Sequence, residues 1–262
     1  MARFCPLFSG SSGNCTYIGT PEGGILIDAG VSAKRIETAL WDRGIAMESI
    51  RGIFVTHEHS DHTAGLRVLQ KRYHMPIYAS PGTRCGLVGG GALPEEADCR
   101  TMEDAVELAG MLVTSFRTPH DSRESTGYRV STSDGRSLAV ATDMGHMTEE
   151  VRGALHGCDL VLIESNHDIR MLENGPYPYV LKRRILAATG HLSNDACSFE
   201  LPNLIRQGTT RLFLAHLSKD NNSPELAYIT AQTALAEAGM TEDVDFVLRV
   251  APRTALEPVM VF

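Results

Sequence analysis

A stretch of ten residues with the sequence THEHSDHTAG, at 56–65, carries four side chains that commonly bind metal ions. They are His57, His59, Asp61 and His62. Imidazole nitrogens and carboxylate oxygens are ordinary ligands of divalent ions such as Zn²⁺. A solvated polar loop is the alternative interpretation, and it would suffice for a single His-x-His. The number and order of the donors favour a metal site.

The segments around this stretch predict how the donors are positioned. The apolar, β-branched run GIFVT precedes them and predicts a strand, and AGLRVLQKRY follows them and predicts a helix. The donors then lie in the turn between strand and helix. His57 and His59 are two residues apart and can point the same way, whereas Asp61 and His62 turn the other way. One loop can therefore serve two neighbouring ions.

Further donors stand where later apolar runs end. His120 follows MLVTSFRTP, Asp143 ends SLAVATD, and His216 follows RLFLA, just as His57 follows GIFVT. Asp28 ends a similar run, ILID, and either orients a ligand histidine or accepts hydrogen bonds in a turn. This repetition predicts that several strand ends deliver ligands to one edge of the fold.

The arrangement of elements along the chain favours an α/β sandwich. Short β-rich runs predict strands at 24–30, 50–57, 76–80, 111–118, 125–132, 137–143, 159–165, 211–218 and 245–251. Periodic apolar positions predict helices at 32–43, 63–73, 148–156, 194–207 and 224–238. Asp134-Gly135 predicts a hairpin turn. We expect one domain, 1–262, of two sheets with helices outside. A doubly wound parallel sheet is the alternative, which the hairpins disfavour.

Composition limits the classes of protein. The chain of 262 residues is 43% hydrophobic and 21% charged, which is typical of globular proteins. It shows neither an apolar stretch of ~18 residues, as a membrane span requires, nor a secretory signal. Six scattered cysteines without a Cys-x-x-Cys pair predict reduced thiols and a cytoplasmic protein. The net charge of −8 argues against wholly electrostatic binding of nucleic acid, but not against a nuclease whose metal ions supply positive charge.

The donors together resemble those of the metallo-β-lactamase-fold hydrolases. The shared pattern is His-x-His-x-Asp-His, followed by a His, an Asp and a final His at strand ends. The resemblance implies a four-layer αββα sandwich with two divalent ions at one edge. Carried over by motif, one ion is held by His57, His59 and His120, the other by Asp61, His62 and His216, and Asp143 bridges them.

Other stretches resemble one branch of this superfamily, the YycJ/WalJ proteins. They are FSGSSGNCTYI, TPHDSRESTGY, ESNHD, YPYVLKRRI, GHLSN and AHLSKDNNSPELA. This resemblance implies exonucleolytic hydrolysis of DNA, running 5′ to 3′ on a duplex. The β-CASP RNA nucleases insert a large domain between the bridging Asp and the last His. Here Asp143 and His216 are only 73 positions apart, which disfavours that role.

The ligands alone do not choose the reaction. A dinuclear site lowers the pKa of a bridging water and clamps the attacking and leaving oxygens, which suits phosphodiesters, thioesters and lactams alike. Asp143 makes the ligand set all oxygen and nitrogen, which favours phosphodiesters and admits Mn²⁺ as well as Zn²⁺. The alternatives are a small-molecule (cyclic) phosphodiesterase, a thioester hydrolase of the glyoxalase II type, and a metal-binding regulator without catalysis.

A surplus histidine favours phosphodiester hydrolysis, because an alkoxide leaving group needs a proton. His191 lies in TGHLSND, a stretch similar to the Gly-His-Ser/Thr stretch of the ribonuclease Z branch, and Glu164 in LIESNHD matches the glutamate that acts with that histidine. We expect Glu164 and His191 to protonate the 3′-oxygen, with Asp61 also serving catalysis. In the alternative interpretation, His191 only caps the helix that begins near Ser193.

Contacts with the substrate are predicted from small and basic residues. The phosphate candidates are Ser11, Ser12 and Asn14 of the SGSSGN loop, and Ser193, although such loops are commonly plain turns. Lys182, Arg183 and Arg184 are candidates for the DNA backbone, and a solvated helix face is the alternative. The glycine-rich stretch 86–93 is expected to be a flexible connection. No obligate protein partner is indicated, and the oligomeric state stays open.

Overall fold

The computed structural model describes residues 1–102, 105–254 and 257–262, and within them two sheets pack face to face. The first sheet has the order β14-β1-β2-β3-β4-β5-β6, with β1 Arg3–Phe8, β2 Cys15–Thr20, β3 Gly23–Ile27, β4 Ile50–Phe54, β5 Ile77–Ala79, β6 Cys99–Thr101 and β14 Met260–Val261. The second has the order β13-β12-β11-β10-β9-β8-β7, with β7 Ala105–Leu108, β8 Met111–Arg117, β9 Thr126–Thr132, β10 Ser137–Ala141, β11 Leu160–Glu164, β12 Arg211–Ala215 and β13 Val247–Val250.

Both sheets combine an antiparallel half with a parallel half. In the first sheet, β14 to β3 are antiparallel and β3 to β6 run parallel. In the second, β7 to β10 are antiparallel and β10 to β13 run parallel. The hairpin predicted at Asp134-Gly135 joins β9 to β10. The antiparallel pairs exclude a doubly wound parallel sheet. Parallel strands place their carboxyl ends at one edge of a sheet, which is where the predicted ligands follow them.

Helices cover the outer faces of both sheets. They are α1 Ala33–Trp41, α2 Ser60–Thr63, α3 Leu66–Tyr73, α4 Pro81–Gly89, α5 Glu149–Leu155, α6 Ile169–Asn174, α7 Tyr179–Ile185, α8 Asn194–Arg206 and α9 Pro224–Glu237, with a short 3-10 helix at Met47–Ser49. Leu40 of α1 and Leu66 of α3 are buried against the first sheet, and Leu201 of α8 and Leu235 of α9 against the second. The predicted αββα sandwich is confirmed.

A third apolar cluster fills the space between the two sheets and includes Phe54 at the end of β4. Phe54 at the end of β4 stacks on Tyr78 with ring centroids 4.7 Å apart and meets Tyr128 of the second sheet edge-on at 5.6 Å. The Tyr128 hydroxyl donates a hydrogen bond of 2.6 Å to the carbonyl of Val55. The backbone just before His57 is therefore fixed from the opposite sheet.

Several elements differ from the expectations. The helix predicted at 63–73 starts later, at Leu66 of α3, and the short helix α2 precedes it. Gly65 separates the two, because it packs against the carbonyls of Ala29 and Val31 where a side chain has no room. The flexible connection predicted at 86–93 is wrong in its first part. Residues up to Gly89 belong to α4, which Ser80 caps by accepting a hydrogen bond from the Thr83 N–H at 3.2 Å. Strands β1 and β2 carried no clear alternation and were not among the predicted runs.

None of the described helices is both long and apolar enough to cross a membrane. All six cysteines are free thiols, of which Cys85 is exposed and the other five are buried.

Candidate metal centre

Three strand ends turn through left-handed backbone at one edge of the sandwich. Asp28 follows β3 with φ 63°, Asp143 lies two residues beyond β10 with φ 58°, and His216 follows β12 with φ 55°. Non-glycine residues seldom adopt this region, and such strain concentrates at functional sites. The strands predicted at 24–30, 137–143 and 211–218 therefore end earlier than expected, and the donor side chains stand on the turns that follow.

The structure brings all seven predicted ligands together. They form overlapping clusters whose donor atoms lie within 4.8 Å of one another: His57, His59 and His120; Asp61, His62 and His216; His57, His62 and Asp143; and Asp143, Glu164, His191 and His216. The first two clusters are the two triads expected from the motif. Asp143 belongs to both of the others, and so lies between the triads, as a bridging carboxylate must.

Distances around Asp143 show how the donors converge. Its Oδ2 lies 3.4 Å from Nε2 of His62, and its Oδ1 lies 3.5 Å from Nδ1 of His216 and 3.8 Å from Nε2 of His120. Oδ2 of Asp143 and Nε2 of His216 are buried without any hydrogen-bond partner among the described residues. Buried polar atoms are nearly always satisfied, and a cation satisfies such a pair. This set of nitrogen and oxygen donors suits divalent metal ions.

Asp28 holds one ligand in a defined orientation. Its carboxylate accepts hydrogen bonds from the N–H of Thr56 at 2.8 Å and from Nδ1 of His62 at 2.7 Å. Nδ1 of His62 is thereby directed at Asp28, and Nε2 is left on the side of Asp61 and Asp143. Metal-binding histidines usually donate their other N–H in this way. Both roles that the sequence suggested for Asp28 are therefore present.

Backbone groups fix the other ligand loops. Nδ1 of His120 lies 3.1 Å from the carbonyl of Gly190, which leaves Nε2 directed at Asp143. The His216 N–H donates to Oγ of Ser9 at 2.8 Å, and the Asn166 amide donates to the His216 carbonyl at 2.8 Å. Sequence reasoning missed the parts played by Ser9 and Gly190. No local pattern marks a contact between residues 207 or 70 positions apart.

Electrostatics set the protonation states of the ligands. Burial lowers the pKa of His57 well below its usual value, and the neighbouring histidines lower it further. Burial alone would raise the pKa of Asp61, but the neighbouring imidazoles of His216 and His62 lower it overall. Burial opposes protonation of His62 as well, yet the carboxylates of Asp28 and Asp143 raise its pKa to about 9. A neutral His57 and an ionised Asp61 are the forms that bind a cation.

Glu164 joins the centre to His191. Its Oε1 lies 2.8 Å from Nδ1 of both His191 and His216, and its Oε2 accepts hydrogen bonds from the N–H groups of Met144 and Leu192 at 2.9 and 3.2 Å. Burial would raise the pKa of Glu164, but the two histidines hold it well below its usual range. Burial lowers the pKa of His191, and Glu164 outweighs this and raises it.

Helix capping is carried out by a neighbour of His191. Oγ of Ser193 accepts a hydrogen bond of 3.2 Å from the N–H of Ala196 at the start of α8. The His191 ring instead points to Glu164 and Asp143. The alternative in which His191 only caps this helix is therefore not what the geometry shows.

A pocket of about 180 Å³ opens beside His191. Its walls include Ser11, Asn166, Tyr177, Leu181, Arg184 and Ser218. Arg184 forms an ion pair with Asp121, the residue after His120. Of the predicted substrate contacts, only Ser11 and Arg184 line this pocket. Ser12 and Arg183 are exposed elsewhere on the surface, and Lys182 donates to the carbonyl of Glu173 at 2.8 Å.

Two other predicted phosphate contacts are engaged within the protein. The Asn14 amide nitrogen lies 3.3 Å from the Asp61 carbonyl and 3.0 Å from Nε2 of His62, and its backbone N–H donates to the same carbonyl at 2.8 Å. Ser193 is the cap of α8, and both side chains are buried. These contacts indicate that Asn14 and Ser193 support the ligand loops.

Comparison with known proteins agrees with this fold. A family model described as "Beta-lactamase superfamily domain" matches residues 24–211. The chain is 37% identical over 239 residues to "Exodeoxyribonuclease YycJ" of Bacillus anthracis, covering 90% of each protein. It is 35% identical over 258 residues to "Exodeoxyribonuclease WalJ" of Streptococcus pneumoniae, covering 97% of this chain and 96% of the relative.

Solved structures show the same fold at low identity. The metallo-β-lactamase fold protein YhfI from Bacillus subtilis aligns with a TM-score of 0.69 at 13% identity, covering 97% of both chains. Zn²⁺-bound PqqB from Methylobacterium extorquens aligns with a TM-score of 0.69 at 14% identity, covering 99% of this chain and 100% of that one.

The chain belongs to the metallo-β-lactamase superfamily of hydrolases. Within that superfamily its relatives over nearly the whole length are the YycJ and WalJ proteins, and the resemblance seen in the motifs is confirmed.

Divalent metal should stabilise the folded chain. Buried Asp143 and His216 carry atoms without partners, and an ion bound only by the folded state adds about 2.7 kcal/mol at 100 times its Kd. We expect Zn²⁺ or Mn²⁺ to raise the melting temperature of chelator-treated protein, and chelator to reverse the rise. Asp61→Ala should show a smaller rise. An unchanged melting temperature with both metals would contradict a metal centre.

Proposed function

We propose that this chain is a metal-dependent exodeoxyribonuclease that degrades duplex DNA from the 5′ end. The observation that carries the proposal is its similarity over 90–97% of its length to two proteins named exodeoxyribonuclease. The site supports it, because its donor set and its buried Glu164–His191 pair suit phosphodiester hydrolysis.

Seven residues would hold two divalent ions, Zn²⁺ or Mn²⁺. His57, His59 and His120 form one set, Asp61, His62 and His216 the other, and Asp143 faces both. When bound, two such ions lower the pKa of a water and stabilise charge on the attacking and leaving oxygens. Asp61 is the most open of the ligand carboxylates, with a side chain 25% exposed against 2% for Asp143. We assign Asp61 two roles, which are to bind metal and to orient the attacking water.

His191 would donate the proton to the 3′-oxygen that leaves. Its Nδ1 is held by Glu164 at 2.8 Å, and its side chain is 21% exposed and lines the pocket. The raised pKa of His191 keeps the ring protonated to higher pH, so that it can serve as a general acid. Glu164 stays ionised beneath it, because two backbone N–H groups and two imidazoles stabilise its charge.

The basic end of α7 would contact the DNA backbone. Arg184 lines the pocket beside His191 and forms an ion pair with Asp121. Arg183 is exposed and makes no hydrogen bond or ion pair with the described residues, so its charge is available to a phosphate. Ser11 lines the same pocket from a different loop, where its hydroxyl would reach a phosphate.

Digestion of end-labelled duplex DNA tests the function directly. With Mn²⁺ or Zn²⁺ we expect stepwise release of nucleotides from the 5′ end, faster when that end carries a phosphate, and none with chelator. Asp61→Ala and Asp143→Asn should each lower the rate of digestion at least about 100-fold. Replacing even a residue that only contacts a metal ligand lowers metal affinity or activity about 10- to 100-fold. Asparagine is chosen at position 143 because it tolerates the left-handed backbone there.

Two outcomes would contradict parts of this proposal. No digestion in either metal would exclude the DNA substrate and point to small phosphodiesters or thioesters. Substantial turnover by either variant, with an unchanged fold, would contradict the dinuclear assignment.

Replacement of His191 should affect substrates according to their leaving groups. We expect His191→Ala to slow DNA hydrolysis by about 10²- to 10⁴-fold, because the alkoxide loses its proton donor. A nitrophenyl phosphodiester should be slowed far less, since nitrophenolate leaves without a proton. His156→Ala, an exposed histidine after α5, is the control and should change neither rate. Equal losses on both substrates would remove the general-acid role.

Salt dependence tests the contact made by α7. Each phosphate contact contributes about 0.9 to the slope of log K against log salt on duplex DNA. We expect Arg183→Ala to lower that slope by about this amount. Arg206→Ala removes an equally exposed charge at the far end of α8 and should leave the slope unchanged. A slope unaltered by Arg183→Ala would show that α7 does not contact DNA.

A further inference from the structure

The three histidines of the first cluster come from two different sheets. His57 and His59 follow β4 of the first sheet, and His120 follows β8 of the second. The spacing of their nitrogens therefore depends on how two separate loops are held against each other. A shift of the His120 loop would open this cluster while leaving the other triad, which takes no residue from that loop, largely intact.

One side chain joins these loops directly. Glu58 lies between His57 and His59 in the chain, and its Oε1 accepts a hydrogen bond of 2.9 Å from the N–H of Arg123, three residues beyond His120. Glu58 belongs to none of the donor clusters, so its carboxylate is directed away from the metal ligands and towards the neighbouring loop.

Helix α4 fixes both ends of this contact. Oγ of Ser80 and Oγ1 of Thr83 donate to the Glu124 carbonyl at 2.7 and 3.0 Å, and the N–H of Gly82 donates to the Glu124 carboxylate. One turn further on, Gly86 packs under Glu58, where a Cβ would lie 2.7 Å from the Glu58 Cγ. Glu58 is thus enclosed by α4 on one side and the His120 loop on the other.

We propose that Glu58 is a positioning residue for the metal ion of the His57, His59 and His120 cluster. This proposal rests on the two-ion site proposed above. The bond from Arg123 to Glu58 sets the distance between the two loops, and hence between the imidazoles they carry. Its loss leaves the donors in place but adds freedom that must be removed when an ion binds, which lowers affinity.

The role depends on an accepting oxygen and not on charge. Oε2 of Glu58 is buried without a partner among the described residues, so the second oxygen contributes no contact there. Glutamine keeps one carbonyl oxygen that can accept from the Arg123 N–H at the same distance. Glu58→Gln is therefore a conservative variant that should preserve the positioning, whereas Glu58→Ala removes it.

The same helix offers an independent pair of variants. Gly86→Ala keeps the Glu58 side chain but displaces it, because the new methyl group would lie only 2.7 Å from the Glu58 Cγ. Gly89→Ala makes the same change in the same helix with no atom within 4 Å of the new Cβ. Both substitutions replace glycine by alanine within α4, and only the one at position 86 meets Glu58.

The experiment is a Zn²⁺ titration of metal-free protein against a competing chelator, without DNA. We expect wild type to bind two ions, and His120→Ala identifies the step that belongs to the first cluster. Glu58→Ala and Gly86→Ala should weaken that step by about 10- to 100-fold and leave the other within a few-fold. Glu58→Gln and Gly89→Ala should bind like wild type. Melting of the metal-free variants should stay close to wild type.

Three results would overturn the proposal: wild-type binding by Glu58→Ala, an equal loss in Glu58→Gln, or equal weakening of both steps with a lowered melting temperature of the metal-free protein. Binding of two ions by a wild-type protein that digests no DNA would instead contradict the proposed function and leave the role of Glu58 intact.

Discussion

The site depends on the burial of ionised and polar side chains, the candidate metal ligands, at the edge where the strands of both sheets end. Asp143 is 1% exposed, and it lies between His62 and His216, which are buried as completely. Burying an unpaired carboxylate is costly, and the histidines around it offset that cost by carrying part of the compensating charge. The arrangement is stable only if its carboxylates and imidazoles remain close, and the left-handed turns at Asp143 and His216 are the backbone strain that this proximity requires.

The two sheets make this burial possible because each has a parallel half. The carboxyl ends of β4, β10, β11 and β12 all reach one edge, so that ligands distant in sequence meet without long connections. Aromatic rings pack between the sheets at the end of β4, just before the His-rich loop. Tyr128 bonds to the Val55 carbonyl, and the His-rich loop therefore starts from a backbone position that belongs to both sheets.

The sequence predicted the sandwich, the hairpin between β9 and β10, and the grouping of the seven donors. These follow from local signals, namely apolar runs that end in donors and a motif with fixed spacing. It did not predict β1 and β2, because Pro6 and Gly19 interrupt any clear strand pattern. It gave no sign that Asn14 and Ser193 are buried and hydrogen-bonded within the protein, since an exposed hydroxyl or amide and a buried one look the same in sequence. Contacts such as Ser9 with His216 join residues 207 positions apart and have no local signal.

The pair formed by Glu164 and His191 separates this site from one that only binds metal. His191 belongs to neither of the two triads assigned to metal, and its Nδ1 is committed to a carboxylate that is itself fixed by the Met144 and Leu192 N–H groups. Its ring is held by Glu164 at the mouth of a pocket, and that carboxylate favours its charged form. A thiolate leaves without a proton, so a thioesterase would gain nothing from such a group. An alkoxide requires one, and His191, whose pKa Glu164 raises, would be the donor under the proposed function.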